Sequence, residues 1–263
     1  QDTSVLQWKN LIPLVDNALS SEDNGVKGTL LLVGDPKQAI YRWRGGKAEQ
    51  FIELGKEENL NHLITYLAKP GIPEVLKKET IAAIGTWAKP SLVDRVDGRY
   101  RGEVTRDPSA IKGKVQPVLV SQASAKEEAL RVESIKAIGK LEIKESADLL
   151  LSKLKSDPAE AVKVQALNSL VAMNAANLSE AISYAMSDNA EAVRVAGLGL
   201  LAQTSLPNDQ KVTLLTDIIK KRTLPEKQTA LLTLGGLEGS KDLPVWKNIL
   251  ADFDAGKLPE GTW

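Results

Sequence analysis

The segment from Gly34 to Gly46 has the residue types of a site that binds phosphates and unpaired bases. It follows an apolar run, Thr29–Val33, that is typical of a buried strand leading into a loop. Two aromatic residues, Tyr41 and Trp43, stand in it among basic residues, and no acidic residue lies between Pro36 and Ala48. Aromatic rings stack on unpaired bases of any sequence, and basic side chains attract the phosphate backbone. Contact with single-stranded DNA is therefore one interpretation of this composition.

The same residues also allow a purely structural interpretation. Tyr41 and Trp43 would then pack the loop onto the helix that follows, because aromatic side chains bury large apolar surfaces. The basic residues would form a solvated rim around them. Composition alone leaves both alternatives open.

The elements around this segment follow an α/β pattern over residues 1–54. The sequence predicts a helix (Val5–Leu19), a polar loop (Ser20–Lys27), the strand Thr29–Val33 and a second helix (Ala48–Leu54). We expect a boundary at residues 55–58, because apolar residues recur at helical spacing from there to residue 263.

Residues 55–263 contain an internal repeat. Apolar pairs three residues apart start at Ile81, Ile135, Leu167, Leu198 and Leu231, with offsets of 54, 32, 31 and 33 residues. They predict five helices: Val75–Gly85, Ala129–Gly139, Val162–Val171, Val193–Ala202 and Lys227–Gly236. Partner helices are expected at Leu60–Ala68, Ala147–Leu154, Leu178–Met186 and Gln210–Lys220. Such short units cannot bury their apolar faces alone. The predicted fold is therefore mainly α, an α-solenoid of about five two-helix units after a small α/β segment.

Proline positions and one long offset refine this pattern. Pro158, Pro207 and Pro225 lie where helices must begin or end, because proline lacks the N–H that a helix interior requires. The offset of 54 residues exceeds the others and places an insertion near residues 87–106.

The insertion allows two interpretations. It is a candidate partner-binding loop whose polar contact surface would consist of Arg95, Arg99, Tyr100 and Arg101. Alternatively, Trp87 fills a gap between repeats while Asp94 and Asp97 pair with the arginines and brace the loop. Long loops in compact arrays are either functional or packed on themselves, so the spacing leaves both alternatives open.

The composition excludes several classes of site. Basic and acidic residues balance at 34 each, so no overall field attracts nucleic acid or anionic lipid. Cysteine is absent, which excludes disulfides, thiolate metal sites and covalent c-type haem. The single histidine, His62, has no metal-ligand spacing around it, and we expect it to be a packing or surface residue. No apolar run reaches the roughly 20 residues of a membrane-spanning helix, so no membrane insertion is expected.

Residues 1–54 resemble the UvrD/RecB-type superfamily 1 DNA helicases. Gln1-Asp2-Thr3 matches the end of the Asp-Glu-x-Gln-Asp-Thr motif, and Gly34–Gly46 matches Gly-Asp-x-x-Gln-x-Ile-Tyr-x-Trp/Phe-Arg-Gly. The resemblance implies that Gln38 senses the γ-phosphate of ATP and that Arg44 links the nucleotide site to the DNA site. It implies DNA contacts for four further residues: Tyr41 and Trp43 as platforms for bases, and Lys37 and Arg42 as positive charge around them.

The same resemblance shows which helicase parts this sequence lacks. No Gly-x-x-x-x-Gly-Lys-Ser/Thr loop is present to hold phosphates, and the two acids that bind Mg²⁺ would precede residue 1. We therefore expect no catalytic residue, no metal site and no cofactor in this chain. ATP and Mg²⁺ would bind only if another polypeptide supplied the missing motifs, and a helicase completed in that way is one alternative function.

The second part resembles HEAT-like repeats, and more narrowly those of bacterial proteins that combine a sugar-dehydrogenase-like propeller with a c-type haem domain. The insertion within Gly85–Gly102 carries the narrower likeness. This chain lacks the propeller and any Cys-x-x-Cys-His, so the resemblance implies a protein-interaction module without haem. Such a module from a dehydrogenase or cytochrome-type protein is another alternative function.

The two resemblances together predict an incomplete helicase segment fused to a HEAT-like binding scaffold without catalysis of its own. A protein partner on the solenoid is expected, and single-stranded DNA is a further candidate ligand. Helicase relatives place the chain in the cytoplasm, whereas the exported relatives of the repeats favour the periplasm. The change of family near Gly55 indicates a fragment, or an artificial, rearranged or misassembled fusion.

Overall fold

The structure is a computed structural model that describes residues 22–23, 26–27, 57–93, 100, 102–237, 244–259 and 261. In these ranges it is mainly helical, as the sequence predicts. Two short strands, β1 (Glu22–Asp23) and β2 (Val26–Lys27), form an antiparallel pair with Glu22 opposite Lys27. This pair lies within the predicted polar loop. The other predicted elements of the α/β segment, and the boundary near Gly55, lie outside the described residues.

Eleven α-helices are found in the described ranges. They are α1 (Glu57–Leu67), α2 (Glu74–Gly85), α3 (Ser109–Gln122), α4 (Glu128–Lys140), α5 (Ala147–Ser156), α6 (Glu160–Ala172), α7 (Leu178–Ala185), α8 (Glu191–Gly199), α9 (Asn208–Lys221), α10 (Leu224–Gly235) and α11 (Val245–Asp254). Short 3₁₀ segments, Lys144–Ser146 and Leu201–Gln203, precede α5 and follow α8. None of these helices is long and apolar enough to cross a membrane.

The chain divides into two compact units. The smaller unit contains α1 and residues 86–107, and the larger contains Gly71–Gly85 and the residues from Pro108 onward. The predicted insertion near residues 87–106 stays a prediction.

The larger unit is built from helices that pack in a regular order. Helices α2, α4, α6, α8 and α10 each pack on the next member of this series. Helices α3, α5, α7 and α9 each pack on the helix that follows them in sequence. The predicted apolar pairs all face inward: Ile81, Ile135 and Leu167 are fully buried, and Leu198 and Leu231 are at most 8% exposed. These side chains therefore form part of the core of the larger unit.

Two glycines allow the stacked helices to approach closely. A Cβ atom built on Gly85 would lie 2.8 Å from the Cβ of Ala137, and one built on Gly139 would lie 2.7 Å from the Cβ of Ser169. The hydroxyl of Ser169 also donates a hydrogen bond of 2.9 Å to the Ile135 carbonyl on the neighbouring helix. Larger residues at these glycines would push α4 away from α2 or α6.

The start of α10 shows how a helix boundary is fixed. Pro225 lies in the first turn, where its missing N–H costs no intrahelical hydrogen bond. The N–H and the hydroxyl of Thr223 both donate to the carboxylate of Glu226, at 3.3 and 2.8 Å. Pro207 directly precedes α9. These boundaries agree with the proline positions in the sequence.

Three features of the helices differ from the sequence prediction. No helix was predicted at α3, which contains the poor helix formers Gly113 and Pro117. None was predicted at α11 either. The predicted helix Val193–Ala202 ends earlier, at Gly199, and continues as the 3₁₀ segment. Burial of Ile111, Val115 and Leu119 on one side of α3 outweighs the weak helix propensity there.

Candidate functional site

The predicted nucleotide and DNA contacts lie outside the described residues. They are Lys37, Gln38, Tyr41, Arg42, Trp43 and Arg44. The roles that the helicase resemblance gives them stay predictions. His62 lies on α1 and is exposed, as expected of a surface residue. The described residues contain no group of three or more His, Cys, Asp or Glu that could hold a metal ion.

The predicted partner-binding loop is described in part. Arg95, Arg99 and Arg101 lie outside the described residues, whereas Tyr100 is described and is 73% exposed. Tyr100 forms an isolated antiparallel bridge with Val93, which is exposed as well. The bridge brings the two sides of the loop together and presents the tyrosine to solvent.

A contact between Trp87 and Arg106 closes the base of this loop. The Arg106 guanidinium lies 5.4 Å from the centre of the indole ring, and its Nη1 donates a 2.7 Å hydrogen bond to the Trp87 carbonyl. The N–H of Arg106 donates to the Ala88 carbonyl at 2.9 Å. Arg106 had no predicted role, because nothing in its spacing relates it to Trp87. The predicted pairs of Asp94 and Asp97 with arginines lie outside the described residues.

The larger unit contains a series of buried ion pairs, which we call the ionic ladder, in which a cation on one stacked helix contacts a carboxylate within, or in the loop before, the next stacked helix. In its first pair, Arg131 Nε and Nη2 each lie 3.1 Å from an oxygen of Asp157. The third guanidinium nitrogen, Nη1, donates to the carbonyls of Ala125 and Lys126 at 3.2 and 2.7 Å. Both side chains are nearly enclosed, since they are 11% and 3% exposed. Arg131 on α4 thus connects the loop before α4, which contains Ala125 and Lys126, to Asp157 in the loop before α6.

The second and third pairs repeat this contact. Lys163 Nζ lies 2.8 Å from Asp188, and Arg194 Nε lies 2.7 Å from Glu226. The Nη1 of Arg194 also donates to the carbonyls of Asp188 and Asn189, at 2.9 and 2.8 Å. The three cations are 32 and 31 residues apart, which are the offsets of the apolar repeat. The ladder therefore follows the same repeat as the core.

Two acids of the ladder, Asp188 and Glu226, have lowered pKa values. Burial by itself raises the pKa of Glu226, but hydrogen bonds from Arg194 and Thr223 outweigh it and lower the pKa to about 2. At Asp188 burial acts in the same direction and is outweighed by Lys163 and the Ala190 N–H, so its pKa is below the ordinary value. The hydrogen bond to Glu226 raises the pKa of Arg194. These groups stay ionised at neutral pH and support structure rather than proton transfer.

The sequence contains a signal for the cations of the ladder, which were not predicted. Each of the three cations stands four residues before an apolar pair, as Arg131 stands before Ile135. Asp157 was noted only for the proline that follows it. Asp157 and Asp188 likewise stand ten residues before the pairs that start at Leu167 and Leu198, whereas Glu226 does not keep this spacing.

The comparisons with known proteins concern the first part of the chain. The family model of the UvrD/REP helicase N-terminal domain matches residues 1–59. No match to this chain was found among curated proteins. The matched residues include Gly34–Gly46, so the segment that resembles a helicase by its motifs also matches the helicase model. This match supports helicase ancestry for the first part of the chain.

Proposed function

We propose that this chain is a binding scaffold: a HEAT-like solenoid, attached to a helicase-derived segment, that holds a protein partner and performs no catalysis of its own. The observation that carries the proposal is the ionic ladder, which repeats at the same offsets as the core and joins α4, α6, α8 and α10. Stacked repeats of this kind present extended surfaces for partners rather than enclosed reaction sites.

The charges of the described residues support a role without catalysis. The buried carboxylates of the ladder are held by cations, and the pKa of Glu226 is far below the range that a general base needs at neutral pH. A group of metal ligands is absent from the described residues. The sequence also lacks a loop to hold phosphates.

The loop closed by Trp87 and Arg106 is the proposed contact for the partner. Tyr100 is 73% exposed, and the neighbouring Leu92 and Val93 are exposed as well. Exposed apolar side chains that lie close together mark interaction sites, and tyrosine and arginine are enriched among the residues that dominate binding. The arginines predicted beside Tyr100 would add charged contacts at the rim.

Site-specific photo-crosslinking of the full chain in its native cell tests this proposal. A photoreactive phenylalanine derivative replaces Tyr100, and a matched control replaces Tyr184, which is also exposed but contacts Lys155 on a helix surface. We expect a discrete protein adduct from position 100 and none from position 184. The absence of an adduct at position 100, or the same adducts at both positions, would contradict the proposal.

The helicase alternative has its own support in the family match to residues 1–59. In that case the chain would bind single-stranded DNA through Tyr41 and Trp43. A Trp43→Ala variant would then lose a stacking contact worth roughly 1–3 kcal/mol, and binding would weaken with increasing salt. DNA affinity that is unchanged in this variant would argue against the stacking role.

A further inference from the structure

Two of the three junctions that connect α4, α6, α8 and α10 contain a hydrogen bond from a hydroxyl to the neighbouring helix. The Ser169 hydroxyl of α6 donates to the Ile135 carbonyl of α4 at 2.9 Å, and the Thr233 hydroxyl of α10 donates to the Leu198 carbonyl of α8 at 3.1 Å. Both donors stand two residues after the start of an apolar pair. In the repeat of α8 this position is Leu200, which has no hydroxyl. The junction of α6 with α8 therefore lacks this bond.

The ionic ladder also has its fewest hydrogen bonds at this junction. Arg131 and Arg194 each contact both oxygens of a carboxylate, and each donates to the carbonyls five and six residues before it. Among the described residues, the Lys163 side chain makes a single hydrogen bond, of 2.8 Å, to Asp188. It does not reach the carbonyls of residues 157 and 158, because an ammonium lacks the planar fork of a guanidinium.

The packing of α6 on α8 is sparse as well. These two helices pack on each other less extensively than α4 packs on α6 or α8 packs on α10. One reason is the length of α8, which has nine residues, whereas α4 and α6 have 13 each. A shorter helix offers less surface for stacking. The two glycines within α8, Gly197 and Gly199, weaken this helix further.

The hydrophobic core is divided near the same junction. Leu198, Leu231, Leu234 and Ile249 belong to one buried cluster, whose members come from α8 and the residues after it. This cluster contains no residue of α6, although Leu167 of α6 is fully buried. Helices α8, α9, α10 and α11 therefore share a core to which α6 does not contribute.

The polar contacts of α7 with α5, which cross the same boundary, involve exposed side chains. The Tyr184 hydroxyl of α7 donates to the Lys155 carbonyl of α5 at 3.0 Å, and Glu180 of α7 pairs with the Lys155 ammonium. Tyr184 is 37% exposed and the Glu180 side chain is 59% exposed. Because exposed polar contacts contribute little to stability, they do not compensate for the interactions that the α6–α8 junction lacks.

We propose that the larger unit contains two cooperative blocks, α3–α6 and α8–α11, connected by α7, and that α8–α11 opens at the α6–α8 junction while α3–α6 stays folded. The stability of stacked repeats is approximately a sum of terms for each repeat and each junction, so the array opens first where a junction has the fewest interactions. This junction is a conformational device that gives the array one defined opening point. The inference goes beyond the proposed scaffold function and depends on no partner.

Hydrogen exchange of the full-length chain in low concentrations of urea, measured by mass spectrometry, tests the two blocks. We expect the amides of α8 and α10 to lose protection together, at a lower urea concentration than those of α4 and α6. Ser169→Ala removes one hydrogen bond at the α4–α6 junction, which should speed exchange in α4 and α6 about tenfold. Exchange in α8 and α10 should not change, because their opening leaves that junction intact. Loss of protection in all four helices at one urea concentration, or equal acceleration in all four, would overturn the proposal.

A Lys163→Arg variant tests whether this position determines the opening point. A guanidinium there can donate to the carbonyls of residues 157 and 158, and we expect exchange in α8 and α10 to become about tenfold slower. Lys155→Arg is the matched control, because it makes the same chemical change in an exposed pair and should exchange like the parent chain. Unchanged exchange in Lys163→Arg, or equal slowing in both variants, would overturn the proposal. The crosslinking result at Tyr100 does not depend on this junction, so the two proposals can fail separately.

Discussion

The Nε atom of Arg194 on α8 lies 2.7 Å from a carboxylate oxygen of Glu226, in the first turn of α10. The Glu226 side chain is 2% exposed and also accepts hydrogen bonds from Thr223, which caps the same helix. The Glu226 carboxylate therefore links α8 to α10 and also stabilises the N-terminus of α10.

We predict that Glu226→Gln destabilises the chain by an amount that depends on pH. The ordinary pKa of 4.5 is lowered to about 2 in the folded chain, a difference that corresponds to roughly 3 kcal/mol. Because the folded pKa is the lower one, this stabilisation is complete above the ordinary pKa and is lost as the pH falls toward 2. Urea unfolding of both chains at several pH values measures the difference.

The control for this prediction is Glu180→Gln. Glu180 pairs with Lys155 at 2.6 Å, but its side chain is 59% exposed. Exposed pairs contribute about 0–1 kcal/mol, so the control should unfold almost like the parent chain. Equal effects of the two substitutions at neutral pH would contradict the structural role of the ladder.

The close approach of α4 and α6 gives a second prediction. Gly139→Ala places a Cβ 2.7 Å from the Cβ of Ser169, and overpacking of this kind costs about 1–3 kcal/mol. Gly235→Ala is the matched control, because a Cβ there has no atom within 4 Å and alanine favours the helix. Thermal unfolding should show a lower midpoint for the first variant and no decrease for the second. A lower unfolding midpoint in both variants would show that the close approach of α4 and α6 does not cause the destabilisation.

A residue in left-handed conformation gives a prediction of opposite sign. Glu142 follows α4 with φ of 52°, a value that glycine adopts without a steric cost. Glu142→Gly should therefore stabilise the chain, by up to about 1 kcal/mol after the entropy cost of glycine in the unfolded state. The same substitution at Glu128, in the first turn of α4, should destabilise it. Chemical unfolding of both variants provides the test, and destabilisation by Glu142→Gly would refute the conformational argument.

The contact between Arg106 and Trp87 at the base of the loop predicts how fast a protease cleaves the loop. Arg106→Ala removes the hydrogen bond to the Trp87 carbonyl and the contact with its ring. We expect faster limited proteolysis within residues 86–107, with little change in the global unfolding midpoint, because the larger unit does not contain this segment. Lys221→Ala, at a side chain that is 71% exposed and paired only with the exposed Asp217, is the control. Cleavage of the Arg106→Ala variant at the parental rate would show that the contact with Trp87 does not hold the loop closed.

The apolar repeat predicted the helices of the larger unit well, because burial of the pairs at Ile135 and Leu167 determines which face of each helix turns inward. It failed at α3, where Pro117 weakens the local signal and tertiary packing supplies the stability. The ladder was missed because a charged residue such as Lys163 has no partner close to it in sequence. Contacts of this kind depend on which helices stack, and single-sequence patterns do not record that arrangement. The contact of Trp87 with Arg106 was missed for the same reason.

The scaffold proposal is tested most directly by nucleotide turnover of the purified chain, with Mg²⁺ and with or without single-stranded DNA. Phosphoryl transfer requires a phosphate loop and metal-binding acids placed together, and the sequence contains no Gly-x-x-x-x-Gly-Lys-Ser/Thr loop. We predict no release of phosphate above the rate without protein. Release that increases in proportion to the amount of chain, and that is lost in Gln38→Ala, would contradict the proposal and identify the chain as an ATPase.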